Sequence, residues 1–197
     1  MVAAAIIAGA VLTARAQNLL ADGDFERPAV PIGGYTDFAV GQSIGPWTVV
    51  GEKGNVQVVD GQFAAGGFEY PARSGHQWLD LTGHFNTATG VQQAVATVPG
   101  RRYRVAFSIG NVVDLAGGAG SSSTVHVLVD GVTVMTATSF ESAGRRLAWK
   151  TFMTFFTATS ARTFVAFLNG DPPSDGTNGL DDVSVVEIPA HGGGPVK

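Results

Sequence analysis

Asn18-Leu19-Leu20-Ala21-Asp22-Gly23-Asp24-Phe25-Glu26 is the stretch that decides how this chain reads. It opens as a short apolar strand, turns at Asp22-Gly23, and then presents an acidic, an aromatic and an acidic residue in succession. Near the other end, Gly179-Leu180-Asp181-Asp182-Val183-Ser184-Val185-Val186 sets two carboxylates ahead of an alternating strand. Carboxylates from the two ends would repel one another if the fold brought them together. A hard cation between them would turn that repulsion into a clasp, because calcium takes about six to eight carboxylate and carbonyl oxygens. The intervening chain must therefore be able to bring its ends side by side.

At 197 residues the chain is long enough for one domain with its own core. Charged residues make up only 14%, there are 27 glycines, and 45% of the residues are hydrophobic. That mixture fits a β-rich extracellular domain with many turns, since helices draw heavily on Glu, Lys and Arg. The net charge of -4 and the lack of a basic stripe argue against nucleic acid as a partner. With no cysteine, disulfides, thiolate zinc sites and cysteine nucleophiles are excluded.

Residues 2–12 are small and apolar, and Ala14-Arg15-Ala16 matches a small-x-small cleavage site that would leave Gln17 first. Residues 1–16 are thus expected to be a signal peptide and the protein to be secreted, although nothing basic precedes Arg15. The alternative is an apolar arm kept in the protein. The segment is too short for a comfortable membrane span, so none is expected in the mature form. Residues 28–45 are rich in Gly and Pro and read as a loop. Strands are expected at 46–50 and 55–59, with a second loop at 61–74. Residues 77–81 alternate, placing Leu79 and Leu81 on one face and Trp78 and Asp80 on the other. Further strands read at 91–98, 102–109, 124–129, 132–138, 150–157, 163–168 and 180–188. Asp130-Gly131 is a strong two-residue hairpin signal. Residues 17–188 therefore form one all-β domain, an antiparallel two-sheet sandwich of jelly-roll type, with 189–197 a flexible tail.

Five motifs then occur in order: the opening stretch 18–26, Gly45-Pro46-Trp47-Thr48-Val49, Gly75-His76-Gln77-Trp78-Leu79-Asp80-Leu81, Pro99-Gly100-Arg101-Arg102-Tyr103 and Leu180-Asp181-Asp182-Val183-Ser184-Val185. Together they resemble the galactose-binding-like β-sandwich superfamily. They are most similar to a domain-of-unknown-function family of plant cell walls and secreted bacterial "choice-of-anchor" proteins, and more distantly to family 4 and family 22 carbohydrate-binding modules. The resemblance implies a structural calcium ion away from the sugar cleft. Glu26 and Asp181 would give carboxylates, Asp24 a backbone carbonyl, and Ser74 and Gln77 carbonyls from the turn between them.

No elbow for a serine nucleophile and no helical histidine pair is present. No short motif pairs two carboxylates across a scissile bond, which places a glycan-active enzyme behind other readings. Sugar binding needs aromatic platforms plus groups that bond hydroxyls. The candidates are Tyr70, Trp78, His84, Phe85, Asn111 and Asp114, although Trp47, Trp78 and most phenylalanines are expected between the sheets. The expected function is a secreted, non-catalytic module that binds a polysaccharide or cell-wall glycan and is stabilised by calcium. The rival is a self-associating surface or filament subunit that uses residues 1–16 to add a strand to a neighbour.

Overall fold

A computed structural model describes residues 17–114 and 120–189. The expectations for 1–16 and for the tail from 190 onward lie outside the described residues. Among the described residues there is no helix, and so none long and apolar enough to cross a membrane. The chain runs through fourteen described strands in two six-stranded antiparallel sheets and a small hairpin. The front sheet has the order β1 (Tyr35–Ala39), β4 (Asn55–Asp60), β7 (Gln77–Asp80), β14 (Gly179–Glu187), β9 (Arg102–Asn111), β12 (Ala148–Thr157). The back sheet has the order β11 (Val132–Ser139), β10 (Ser123–Val129), β13 (Arg162–Asn169), β8 (Gly90–Ala96), β3 (Trp47–Val50), β2 (Ser43–Ile44). The hairpin pairs β5 (Ala64–Ala65) with β6 (Phe68–Glu69).

The alternation of the strands explains the layers. Leu79, Val105, Phe107, Ile109 and Leu180 point inward from the front sheet and meet Val91, Val125, Val127, Val165 and Phe167 from the back sheet. Trp47 lies in the same core, its ring 5.4 Å from Phe25 and 6.2 Å from Phe167. The hairpin at Asp130-Gly131 forms as expected, with φ of 47° and 80° at the two turn residues and Val129 paired with Val132.

Three expectations need correction. Residues 28–45 are not all loop, because Tyr35–Ala39 forms the edge strand β1 and Ser43–Ile44 forms β2. Residues 18–20 do not join a ladder as a strand. Instead Leu19 N–H donates to the Val185 carbonyl at 2.8 Å, and the Asn18 amide brackets β14, donating to the Val183 carbonyl and accepting from Val185 N–H. Trp78 is buried, but not between the sheets. It belongs to a second apolar cluster with Val59, Val112 and Leu147. That cluster lies on the outer face of the front sheet, where the excursion 61–72 folds over and contributes Phe63, Phe68 and Tyr70.

Candidate functional site

Two places gather the residues that the sequence singled out. At the first, the acidic ends do meet, on the turn 73–77. Gly23 packs so closely on β14 that a Cβ there would lie 2.0 Å from the Val183 carbonyl oxygen, and Val183 N–H donates to the Gly23 carbonyl at 2.8 Å. Phe25 is fully buried beside it, which aims Glu26 across to the turn. Glu26 Oε1 accepts from the N–H groups of His76 at 2.6 Å and Gln77 at 2.8 Å. Gly75 fits beneath it with φ of 59°, where a Cβ would come 2.2 Å from that oxygen. The register of β14 against β9 shifts between Asp181 and Ser184, a bulge with φ of 53° at Asp182. Asp181 Oδ2 accepts from the N–H groups of Arg73 at 2.8 Å and Ser74 at 3.0 Å, and its Oδ1 from Asp182 N–H at 2.6 Å.

Both carboxylates thus grip one five-residue turn from opposite ends of the chain. The turn meets them with N–H groups, including those of Ser74 and Gln77. The Gln77 side chain adds bonds to the carbonyls of Phe25 and Pro28. Asp24 is exposed on the near side. Asp181 has no exposed surface, and burial pushes its carboxyl up to about 7, further than its three N–H donors pull it down. Among the described residues no three His, Asp or Glu side chains form a metal-ligating group.

At the second place, the pleat of β1, β4 and β7 lays two rows across the outer face of the front sheet. Register puts Asp37 beside Gln57 and Gln57 beside Asp80. Two residues along each strand, Tyr35 stands beside Val59 and Val59 beside Trp78. A polar row and an apolar row therefore run side by side, with strands about 4.8 Å apart. All of these residues but Asp37 line a cavity of about 230 Å³ walled by Phe63 and Tyr70 from the excursion, His84 from the loop after β7, and Gly176-Thr177 from the loop before β14. The Tyr70 ring stacks on Trp78, centroids 6.3 Å apart at 16°, and the Trp78 indole N–H donates to the Tyr70 carbonyl at 3.0 Å.

The polar row is held rigidly. Asp37 Oδ1 accepts from the amides of Asn55 at 2.8 Å and Gln57 at 2.9 Å, and His84 Nε2 lies 3.0 Å from Asp37 Oδ2. Asp80 Oδ1 accepts from Thr82 N–H at 3.0 Å, Thr82 Oγ1 at 2.8 Å and Asn178 N–H at 3.2 Å. Burial still pushes the Asp80 carboxyl up to about 6. Burial also raises the Tyr70 phenol.

The cavity brings together Tyr70, Trp78 and His84 of the sequence candidates. A neighbouring cavity of about 260 Å³, lined by Tyr70 and Thr177, includes Asp114. Phe85 is exposed and lines a separate hollow with Lys53, Gly54 and Thr87. Asn111 does not reach the cleft. It is fully buried, its amide donates to the Glu141 carbonyl at 2.9 Å, and its Oδ1 accepts from Ser123 Oγ at 3.0 Å. Tyr35, Asp37, Gln57 and Phe63 were not singled out by the sequence. The alternation of Tyr35, Asp37 and Ala39 against Thr36 and Phe38 was the available signal, hidden by the Gly- and Pro-rich flanks.

Comparison with known proteins agrees with this geometry at the level of fold. The structure is similar to the carbohydrate-binding module TmCBM61 in complex with beta-1,4-galactotriose, at 19% identity and TM-score 0.50, over 87% of this chain and 99% of that one. It is similar to the arabinose-bound α-L-arabinofuranosidase MgGH51 at 11% identity and TM-score 0.51, over 86% of this chain but 26% of that one. A weaker likeness, TM-score 0.47 at 16% identity, is to the CBM22-1 xylan-binding domain from Paenibacillus barcinonensis Xyn10C, over 81% of this chain and 96% of that one. No curated protein matches the chain in sequence. A family described as "Protein of unknown function (DUF642)" matches residues 18–185, nearly the whole described domain, and the chain belongs to that family.

Proposed function

We propose that this domain is a non-catalytic glycan-binding module whose ligand lies in the cleft on the outer face of the front sheet. One observation carries the reading: an apolar row ending in Trp78 and the polar pair Gln57 and Asp80 share the floor of one cavity, under the rings of Phe63 and Tyr70. Pyranose rings present an apolar face for the first and hydroxyls for the second. The fold likeness to carbohydrate-binding modules supports the same reading. Asp80 serves binding and fold rather than proton transfer, because one of its oxygens already takes three donors. No turnover is expected on a polysaccharide panel.

The test is retention on insoluble polysaccharides. Tyr70→Ala should weaken retention by about tenfold or more, the scale of one aromatic platform, and Phe85→Ala should leave it unchanged. Equal retention of the wild type and Tyr70→Ala would remove the cleft from the account.

The reading includes secretion and a structural calcium ion at the turn 73–77. Support for the ion comes from the donor chemistry: two carboxylates converge on one turn, and one of them is desolvated without a cationic partner. Glu26 and Asp181 would hold it, with the carbonyls of Asp24, Ser74 and Gln77 completing an oxygen set. The ion would supply compensating charge. Melting with calcium against chelator tests this, and an unchanged melting temperature would leave the clasp as N–H···O bonds alone.

Self-association is a second reading, supported by β12. It is the edge strand of the front sheet and exposes Met153 and Phe155.

A further inference from the structure

The cleft is divided, and the division has a consequence for what it holds. Tyr70 from the excursion 61–72 and Thr177 from the loop before β14 line a cavity on each side of them. On one side is the cavity of about 230 Å³ floored by Gln57 and Asp80. On the other is the cavity of about 260 Å³ that includes Phe68 and Asp114. Tyr70, Gly176 and Thr177 are common to both. Each is smaller than the roughly 300–1,000 Å³ of a pocket for a drug-sized ligand, and so is scaled to one small ring. Two ring-sized hollows on either side of a shared aromatic wall suit consecutive units of a chain.

The charge of the lining is as informative as its shape. Neither cavity is lined by a lysine or arginine. The acidic side chains that line the cleft are Asp80 in the floor of the first cavity and Asp114 in the second, and Asp37 pairs with the His84 that lines the first. Arg145 stacks 5.5 Å over the ring of Phe68, which lines the second cavity, and Arg146 pairs with Glu69 at 3.3 Å, so the negative character of the lining is strongest in the first cavity. Carboxylate oxygens accept hydrogen bonds from sugar hydroxyls and strengthen them by their charge. They repel a second carboxylate, the more so in a partly desolvated site.

From this geometry we infer that the cleft takes a neutral oligosaccharide of at least two units astride Tyr70, and discriminates against uronate-containing glycans. The inference rests on the proposed glycan-binding function and specifies the ligand class of that site. The experiment is calorimetric titration of the wild-type domain with two probe sets. The first is a ladder of mono-, di- and trisaccharides from the β-1,4-galactan and cellulose series. The second is trigalacturonate against its fully methyl-esterified form, which keeps the skeleton and removes the charge.

The expected result is a rise in affinity of about tenfold or more from mono- to disaccharide in one neutral series, with a smaller gain for the third unit. The methyl ester should bind at least about tenfold more tightly than the free acid. Equal binding of mono- and disaccharide would overturn the two-hollow arrangement. Tighter binding of the free acid would overturn the charge argument while leaving a glycan-binding cleft in place. Binding of no sugar in either set, together with no retention on any insoluble glycan, would instead overturn the proposed function itself.

Discussion

Asp181 carries the largest electrostatic tension at the clasp. Its carboxyl has an ordinary value of 3.8 when exposed and is pushed up to about 7 by burial. Asp80 is pushed to about 6, and burial pushes Asp171, just after β13, to about 8. For each, the folded state holds its proton over a pH range in which the unfolded chain has lost it. Stability from these groups is therefore fully present below about pH 3.8 and is lost as pH rises through the folded values. Without metal, the melting temperature should fall on going from about pH 5 to pH 8. Calcium should flatten that slope, because it favours the ionised Asp181. A slope that calcium leaves untouched would detach the ion from Asp181. Gly23 tests the clasp through packing instead. Gly23→Ala drives a Cβ into the Val183 carbonyl and should cost about 2–4 kcal/mol in a denaturant titration. A loss below about 0.5 kcal/mol, the range of an inert surface change, would show that the N-terminal segment does not pack on β14 as described.

The excursion 61–72 is the element that turns an ordinary sheet face into a cleft. It was legible only as a loop with three aromatic residues, because its strands β5 and β6 are two residues each and carry no usable period. β7 was read more fully. Its alternation placed Leu79 and Leu81 against Trp78 and Asp80, and the two faces separate that way in the structure. What alternation could not say is that the second face is also covered, so Trp78 was expected between the sheets. Asn111 failed for a related reason. A polar residue at a strand end reads the same whether it faces a ligand or, as here, caps a buried network with Ser123 and the Glu141 carbonyl. Tyr70→Phe keeps the ring and removes the phenol hydroxyl. It should preserve retention on glycan with a change in melting temperature of only about 2–4 °C, the scale of one hydrogen bond in a domain of this size. Loss of retention in that variant with an intact fold would move the main contact from the ring to the hydroxyl.

At the scale of the whole molecule, the meeting of the two ends was the most legible feature. The acidic segments at 18–26 and 179–186 converge because first and last segments neighbour one another in this sandwich, and the five ordered motifs led to the same family. The least legible was the sheet edge. β12 exposes Met153 at 56% and Phe155 at 41%, with Arg102 lying 4.7 Å over the Phe155 ring, and Lys150 is its only charged side chain. If that edge pairs with a second copy, sedimentation should show concentration-dependent dimers that Met153→Lys abolishes at unchanged melting temperature. A wild type that stays monomeric at the highest soluble concentration would retire the self-association reading.

The most direct measurement of the glycan-binding claim uses the indole N–H signals of the three tryptophans in an NMR titration with soluble neutral oligosaccharide. Trp78 floors the cleft, whereas Trp47 lies between the sheets with its N–H on the Asp22 carbonyl at 2.8 Å. The account predicts that the Trp78 signal moves saturably with sugar while Trp47 stays fixed. A still Trp78 signal with shifts confined to the hollow around Lys53, Phe85 and Thr87 would contradict it.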